Sequence, residues 1–218
     1  MTDDILVNGI ILKVTPVGDY DKRLVILTKE KGKISCFARG ARRPNGKLAG
    51  ICNPFCFGTF TLIAARDSYT LTDGNITQYF DDIKKDMELA FYATYFMELS
   101  DYYTRENNDE MLVLKLLYLT LRALESGKFD KRLVRAAFEL KLIVLEGEFN
   151  PNLYLGNLLP STEYAVSHIM EVSVEKLYQF TLTEPVLLEL VDIAKAEIDR
   201  VIDRELKSLK VLNEICFT

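Results

Sequence analysis

The chain has 218 residues, of which 49% are hydrophobic and 27% charged, enough for one large domain or two small ones with a real core. Its formal charge is -5. The start, MTDDILVNG, carries two acids and no basic stretch, and no apolar run approaches ~18 residues without a charge, so neither a signal peptide nor a membrane span is expected. The four cysteines, Cys36, Cys52, Cys56 and Cys216, have no framework spacing and read as reduced thiols of a cytosolic protein.

The first part of the chain alternates apolar and polar residues between turn signals. Strands are predicted over 5–15, 23–29, 33–39, 54–64 and 68–72, separated by turns at Pro16-Gly18-Asp19, Glu30-Lys31-Gly32 and Arg66-Asp67 and by a loop over 40–50. Five short strands at such spacing predict a small closed barrel or sandwich. The period then changes. Met87, Phe91, Tyr95, Leu99 and Tyr102 recur at helical spacing, predicting an amphipathic helix over 83–103. Residues 111–126 are apolar almost all round, which predicts the helix at the centre of a bundle. Further helices are predicted over 131–147 and 185–206, with 148–183 as a loop holding a weak strand or short helix. The chain thus reads as α+β, a barrel domain over 1–80 followed by a helical domain over 81–218.

The net charge hides an asymmetry. Residues 1–80 carry 11 Lys+Arg against 7 Asp+Glu, whereas 81–218 carry 16 against 25. Between 22 and 47 there are nine basic residues and one acid, Glu30, a concentration suited either to an anion-binding surface or to a solvated barrel face. On strand 33–39, Ile34, Cys36 and Ala38 share one face, and Lys33, Ser35, Phe37 and Arg39 share the other. An aromatic between cations suits a single-stranded nucleic acid, with cations along the phosphates and the ring against bases. The loop continues the charge with Arg42, Arg43 and Lys47. Gly40, Gly46 and Lys47 do not form a nucleotide-binding P-loop. Five residues separate the glycines where that motif has four, and Leu48 replaces the magnesium-holding Ser or Thr. The segment from 22 to 47 therefore offers Lys22, Arg23, Lys31, Lys33, Phe37, Arg39, Arg42, Arg43 and Lys47 as nucleic-acid-binding candidates.

Arg23-Leu24-Val25, Thr28, Gly32, Gly40-Ala41-Arg42-Arg43 and Pro54-Phe55, with Leu206-Lys207-Ser208 near the C-terminus, resemble the pattern of the RecO family of bacterial recombination mediators. The resemblance implies a five-stranded OB-fold barrel followed by a helical domain. It also implies binding of single- and double-stranded DNA, annealing of complementary strands, and work with RecR to load RecA onto strands covered by single-stranded DNA-binding protein. It implies a cytoplasmic, nucleoid-associated location. In the family the acidic tail of single-stranded DNA-binding protein docks on the helical domain. The densest basic group there is Lys128, Lys131, Arg132 and Arg135, beside Phe129.

Many relatives carry a four-Cys zinc site after the helix that ends here near Gly147. The corresponding region, 148–183, holds no Cys, so that site is degenerate and no metal or cofactor is expected. Phe149, Leu153, Tyr154, Leu155, Leu158 and Leu159 are the candidate apolar replacements. His168 is the only histidine, and no Cys is positioned beside it by any motif. Asp199 and Asp203 read as a solvated helix face beside Arg200 and Arg204. No catalytic residue is expected. The residues alone also leave open a helical interaction adaptor whose barrel binds RNA or a protein, and a metal-dependent nuclease.

Overall fold

Side chains that alternate along the first strands leave one apolar face, and that face is removed from water when the strands close on themselves. The computed structural model describes residues 4–64, 68–154 and 158–216. Strands β1 (Asp4–Val17), β2 (Asp21–Thr28), β3 (Gly32–Ala38), β4 (Phe57–Ala64) and β5 (Tyr69–Gln78) form a closed barrel in the order β1-β2-β3-β5-β4. Every pair is antiparallel except β3 with β5. This barrel, followed by a helical region, fits an OB-fold with a helical domain.

Val7, Ile11, Leu24, Ile26, Ile34, Cys36, Phe60, Leu62 and Leu71 fill the barrel. Along β1, Val7, Ile10, Ile11 and Leu12 are all buried, which strict alternation forbids. A register shift between Ile11 and Lys13 accounts for it. At Gly9 a Cβ would lie 2.2 Å from the Leu27 carbonyl oxygen, so the strand crossing there admits only glycine. The connection from β3 to β4 adds Ala41, Leu48, Cys52 and Cys56 to the same core.

The helices are α1 (Asp81–Lys85), α2 (Met87–Tyr103), α3 (Met111–Glu125), α4 (Lys131–Leu145), α5 (Pro160–Glu171), α6 (Glu184–Val201) and α7 (Lys207–Cys216). None is long and apolar enough to cross a membrane among the described residues. The chain divides into two compact units. One runs to Asp81 and also takes in Met97–Leu114; the other comprises Asp82–Phe96 and the chain from Lys115 onward. Within the first unit, Glu106 forms a bridge to Gly32, Lys33 N donates to Arg105 O (2.9 Å), and Asn107 N donates to Lys31 O (3.1 Å). Gly32 has φ +62°, and a Cβ there would meet Arg105 O at 2.5 Å, so both backbone angle and space require glycine.

Several expected elements differ. The strand expected from Pro54 starts at Phe57, because Phe55 takes φ +71° and Cys56 N turns back to Asn53 O. The strand expected to stop at 72 runs to Gln78, since the polar stretch 73–78 pairs with β4 across two register shifts. The Arg66-Asp67 turn lies outside the described residues. The helix expected over 83–103 is broken at Asp86, whose carboxylate accepts from Leu89 N and caps α2; Met87 is consequently 70% exposed. Helix α6 ends at Val201, so Asp203 is not on a helix face with Asp199.

The most buried helix of the second unit is α4, not the apolar 111–126 segment. Residues 133–143 are all buried, and they include Arg135, Glu139 and Lys141. Each has an internal partner, which is what permits a charged side chain to be buried. Glu139 Oε1 accepts from Tyr95 Oη (2.6 Å) and Arg135 Nε (2.8 Å), and the Arg135 guanidinium lies 5.3 Å from the Tyr95 ring centroid. Lys141 Nζ donates to the carbonyls of Ile169, Met170 and Val172.

Those carbonyls end α5, which occupies part of the region expected to be a loop. Thr162, Ala165, Val166 and Ile169 form its buried stripe, at helical spacing. At its other end the Glu189 carboxylate accepts from Leu159 N (3.1 Å) and Thr162 Oγ1 (2.6 Å). An acid at the N-terminus and a cation at the C-terminus both complement the helix dipole. Among the described residues no group of three His, Cys, Asp or Glu is placed to hold a metal ion. Of the apolar residues expected to replace the zinc site, Phe149 stacks on Tyr154, Leu153 and Leu159 are exposed, and Leu155 lies outside the described residues.

Candidate nucleic-acid interface

Strand pairing sets the outer face of the barrel. Arg23 on β2 stands opposite Phe37 on β3, and Phe37 stands opposite Thr70 on β5. The inner positions between them, Leu24, Cys36 and Ala38, are fully buried, so this row must face outward. Arg23 Nε donates to Ser35 Oγ (2.8 Å), which lays the guanidinium across the strands toward the Phe37 row. Phe37 is half-buried, and Arg39, just past the strand end, is exposed.

The basic loop is fastened rather than free to swing. Gly40 N donates to Asp21 Oδ1 (2.8 Å), Arg42 N to Tyr20 O (2.8 Å), and Arg42 Nη1 to Gly18 O (2.8 Å). Turns close it internally, Arg43 N onto Gly40 O and Gly46 N onto Arg43 O. A Cβ on Gly46 would approach Gly40 O to 2.8 Å, so this folding depends on glycine. The Arg43 guanidinium sits 5.1 Å from the Tyr20 ring centroid. The result is one edge presenting Arg39, Arg42 and Arg43 beside Tyr20, an aromatic that the charge pattern alone did not single out.

The nine candidates do not form one open patch. Lys22 Nζ donates to Cys52 O (2.8 Å) and so holds the β3–β4 connection. Lys33 pairs with Asp101 (2.9 Å) and also donates to its carbonyl. Lys47 pairs with the exposed Asp73 (2.7 Å), and that hydrogen bond holds the Asp73 carboxyl below the usual carboxylate range. Lys31 Nζ lies 6.0 Å from the Tyr69 ring centroid. Of the eight cations among the candidates, Lys22, Lys33 and Lys47 are thus engaged by partners within the protein. Their partners are 26 to 68 residues away in sequence and cannot be read from local charge.

Three of the four basic residues singled out on the helical region, Lys131, Arg132 and Arg135, have ion-pair partners within the protein. Lys131 pairs with Glu88, and Arg132 with Asp130 (2.7 Å) and Glu184 (2.8 Å). The Arg132 hydrogen bonds hold both Asp130 and Glu184 below the usual carboxylate range. Arg135 is buried on Glu139. Of the four, Lys128 alone is exposed with no ion pair among the described residues.

Cys36 and Cys52 are buried in the barrel. Burial pushes the Cys36 thiol up to about 12 and the Cys52 thiol to about 11, so neither supplies thiolate near neutrality. The His168 ring lies between Tyr164 (6.4 Å, stacked) and Phe180 (5.0 Å, edge-on).

Residues 1–80 match the family model described as Recombination protein O N terminal, and residues 84–154 match Recombination protein O C terminal. The chain belongs to the RecO family. Full-length relatives agree with that membership. DNA repair protein RecO of Clostridium perfringens (strain 13) is 28% identical over 95% of this chain and 96% of its own length. The protein of that name from Clostridium acetobutylicum is 26% identical with the same coverage. The Bacillus pumilus protein is 34% identical over 64% of this chain and 54% of its own length. The RecO C-terminal match stops at Tyr154, so α5, held by Lys141 and Glu189, lies beyond it.

Proposed function

We propose that this RecO-family DNA repair protein acts as a recombination mediator. It binds single- and double-stranded DNA along the outer face of β2 and β3 and the edge at 39–43. It anneals complementary strands and, with RecR, helps RecA onto strands covered by single-stranded DNA-binding protein. The observation that carries the DNA-binding part is the outward row of exposed Arg23 and half-buried Phe37, continued by the exposed Arg39, Arg42 and Arg43. It provides cations spaced along a path, with an aromatic beside them, on an otherwise acidic molecule. The annealing activity and the named partners come from family membership.

Phosphate contacts carry no base information, so replacing Arg39, Arg42 and Arg43 by Ala should weaken binding to all sequences alike. Each lost phosphate contact lowers the slope of log K against log salt by about 0.7 for a single strand, or about 2 for the three. Fluorescence anisotropy over a salt series measures both quantities, and annealing of complementary labelled strands should slow in parallel. Unchanged affinity and slope in the triple variant would remove this face from DNA binding. Equal competition by RNA of the same length would favour the RNA-binding adaptor instead.

A further inference from the structure

Tyr20 occupies the turn between β1 and β2 and is 52% exposed. A turn there needs no aromatic, since Gly18, at φ +53°, already supplies the left-handed backbone. Nor does the ring serve the barrel core, from which it is absent. What the structure does with Tyr20 is hold it still. Its carbonyl accepts from Arg42 N, its neighbour Asp21 accepts from Gly40 N, and Arg42 Nη1 reaches back to Gly18 O. Turn and loop are cross-bonded into one piece, and the Arg43 guanidinium is laid over the ring.

From this we infer that Tyr20, with Arg43, is the base-stacking position that lets the barrel favour single strands over duplex, an inference that rests on the DNA-binding reading above. A half-exposed ring beside Arg39, Arg42 and Arg43 is where a base arrives when the backbone follows those cations. Stacking accepts any base, so it adds affinity without sequence preference. In a duplex the bases are already stacked on one another and paired, and the ring has no face to receive. The neighbouring acids sharpen the assignment. Asp21 is engaged by the loop, whereas Asp19 is exposed next to Tyr20. A phosphate close to Asp19 is repelled, so the strand turns its base rather than its backbone to this point.

The chain contains no tryptophan, which supplies a direct probe. Tyr20→Trp places the sole indole at the position in question. In the full chain, an oligo(dT) of about 20 nucleotides, longer than the ~4–16 that one OB-fold covers, should quench that fluorescence as anisotropy reports binding. A hairpin duplex should bind without quenching. Tyr20→Ala should weaken oligo(dT) binding by about 5- to 150-fold with an unchanged salt slope, and leave duplex affinity within about twofold. Tyr20→Phe should retain the original behaviour. The assignment is overturned if saturating oligo(dT) leaves the indole unquenched. It is also overturned if Tyr20→Ala binds oligo(dT) as the parent does, or loses single strand and duplex equally. Absence of any DNA binding by the parent chain would instead overturn the functional reading on which it rests.

Discussion

Replacing Lys141 by Met tests whether one buried ammonium holds α5 in place. The side chain is 4% exposed and donates to Ile169 O (3.0 Å), Met170 O (3.0 Å) and Val172 O (2.6 Å). These are carbonyls at a helix end, which have no donors of their own. Two effects oppose each other in the variant. Burial lowers the pKa of Lys141, so removing the charge relieves a desolvation penalty. Against that, the three carbonyls stay where they are and lose their donor. Replacing a buried charge is harmless only when its partners are replaced too, and backbone carbonyls cannot be. A hydrogen bond to a charged group contributes about 1.5–3 kcal/mol, and each carbonyl left dry costs about 1–3 kcal/mol. With part of that offset by the relieved desolvation, the net loss should be about 2–4 kcal/mol. A urea m-value of about 2–3 kcal/mol/M makes this a fall of about 1 M in the unfolding midpoint. Because the chain has two units, amide hydrogen exchange is the sharper readout: protection should fall first in residues 160–171. An unchanged midpoint together with unchanged protection of α5 would refute the reasoning.

The thiols of the barrel core predict an alkaline weakness. Cys36 and Cys52 titrate at about 12 and 11 in the folded chain but near 8.5 when unfolded, so their contribution is complete below the unfolded value and is lost as pH rises toward the folded ones. Stability should fall by up to about 1.4 kcal/mol per pH unit per thiol above pH ~9, and urea midpoints for Cys36→Ala should decline less steeply than those of the parent; an identical decline contradicts it. Glu139→Gln should destabilise the second unit by about 3–5 kcal/mol, because the buried Arg135 guanidinium and Tyr95 hydroxyl lose the carboxylate they share. Thermal unfolding checks this, and a shift of less than ~1 °C would contradict it.

Strand alternation made most of the barrel legible. Ile34, Cys36 and Ala38 announced the inner face of β3, and with it the outward position of Phe37 and Arg39. The end of β5 was hidden because Asp73, Gly74 and Asn75 are turn formers that here occupy a paired strand, an outcome decided by β4 across the barrel. Helix α5 was partly readable from Ala165, Val166 and Ile169 behind Pro160, but its apolar stripe is short and its ends rely on Lys141 and Glu189, 28 and 27 residues from the groups they hold. The candidate site divides the same way. Residue types and strand faces could be read locally. Which cations remain available could not, because Asp101 neutralises Lys33 from 68 residues away and Tyr20 meets Arg43 only through the fold.

The barrel's last strand ends at Gln78, yet the unit to which it belongs is complete only at Leu114. Arg105, Glu106 and Asn107, whose backbone pairs with Lys31, Gly32 and Lys33, are therefore made after all five strands. At ~5–20 residues per second, a nascent chain waits about 1–6 s between finishing its sheet and receiving these partners. During that interval the β2–β3 turn lacks its cover, and Lys33 lacks Asp101. Birth order thus exposes, for a few seconds of every molecule's life, the same end of β3 that the finished protein keeps closed.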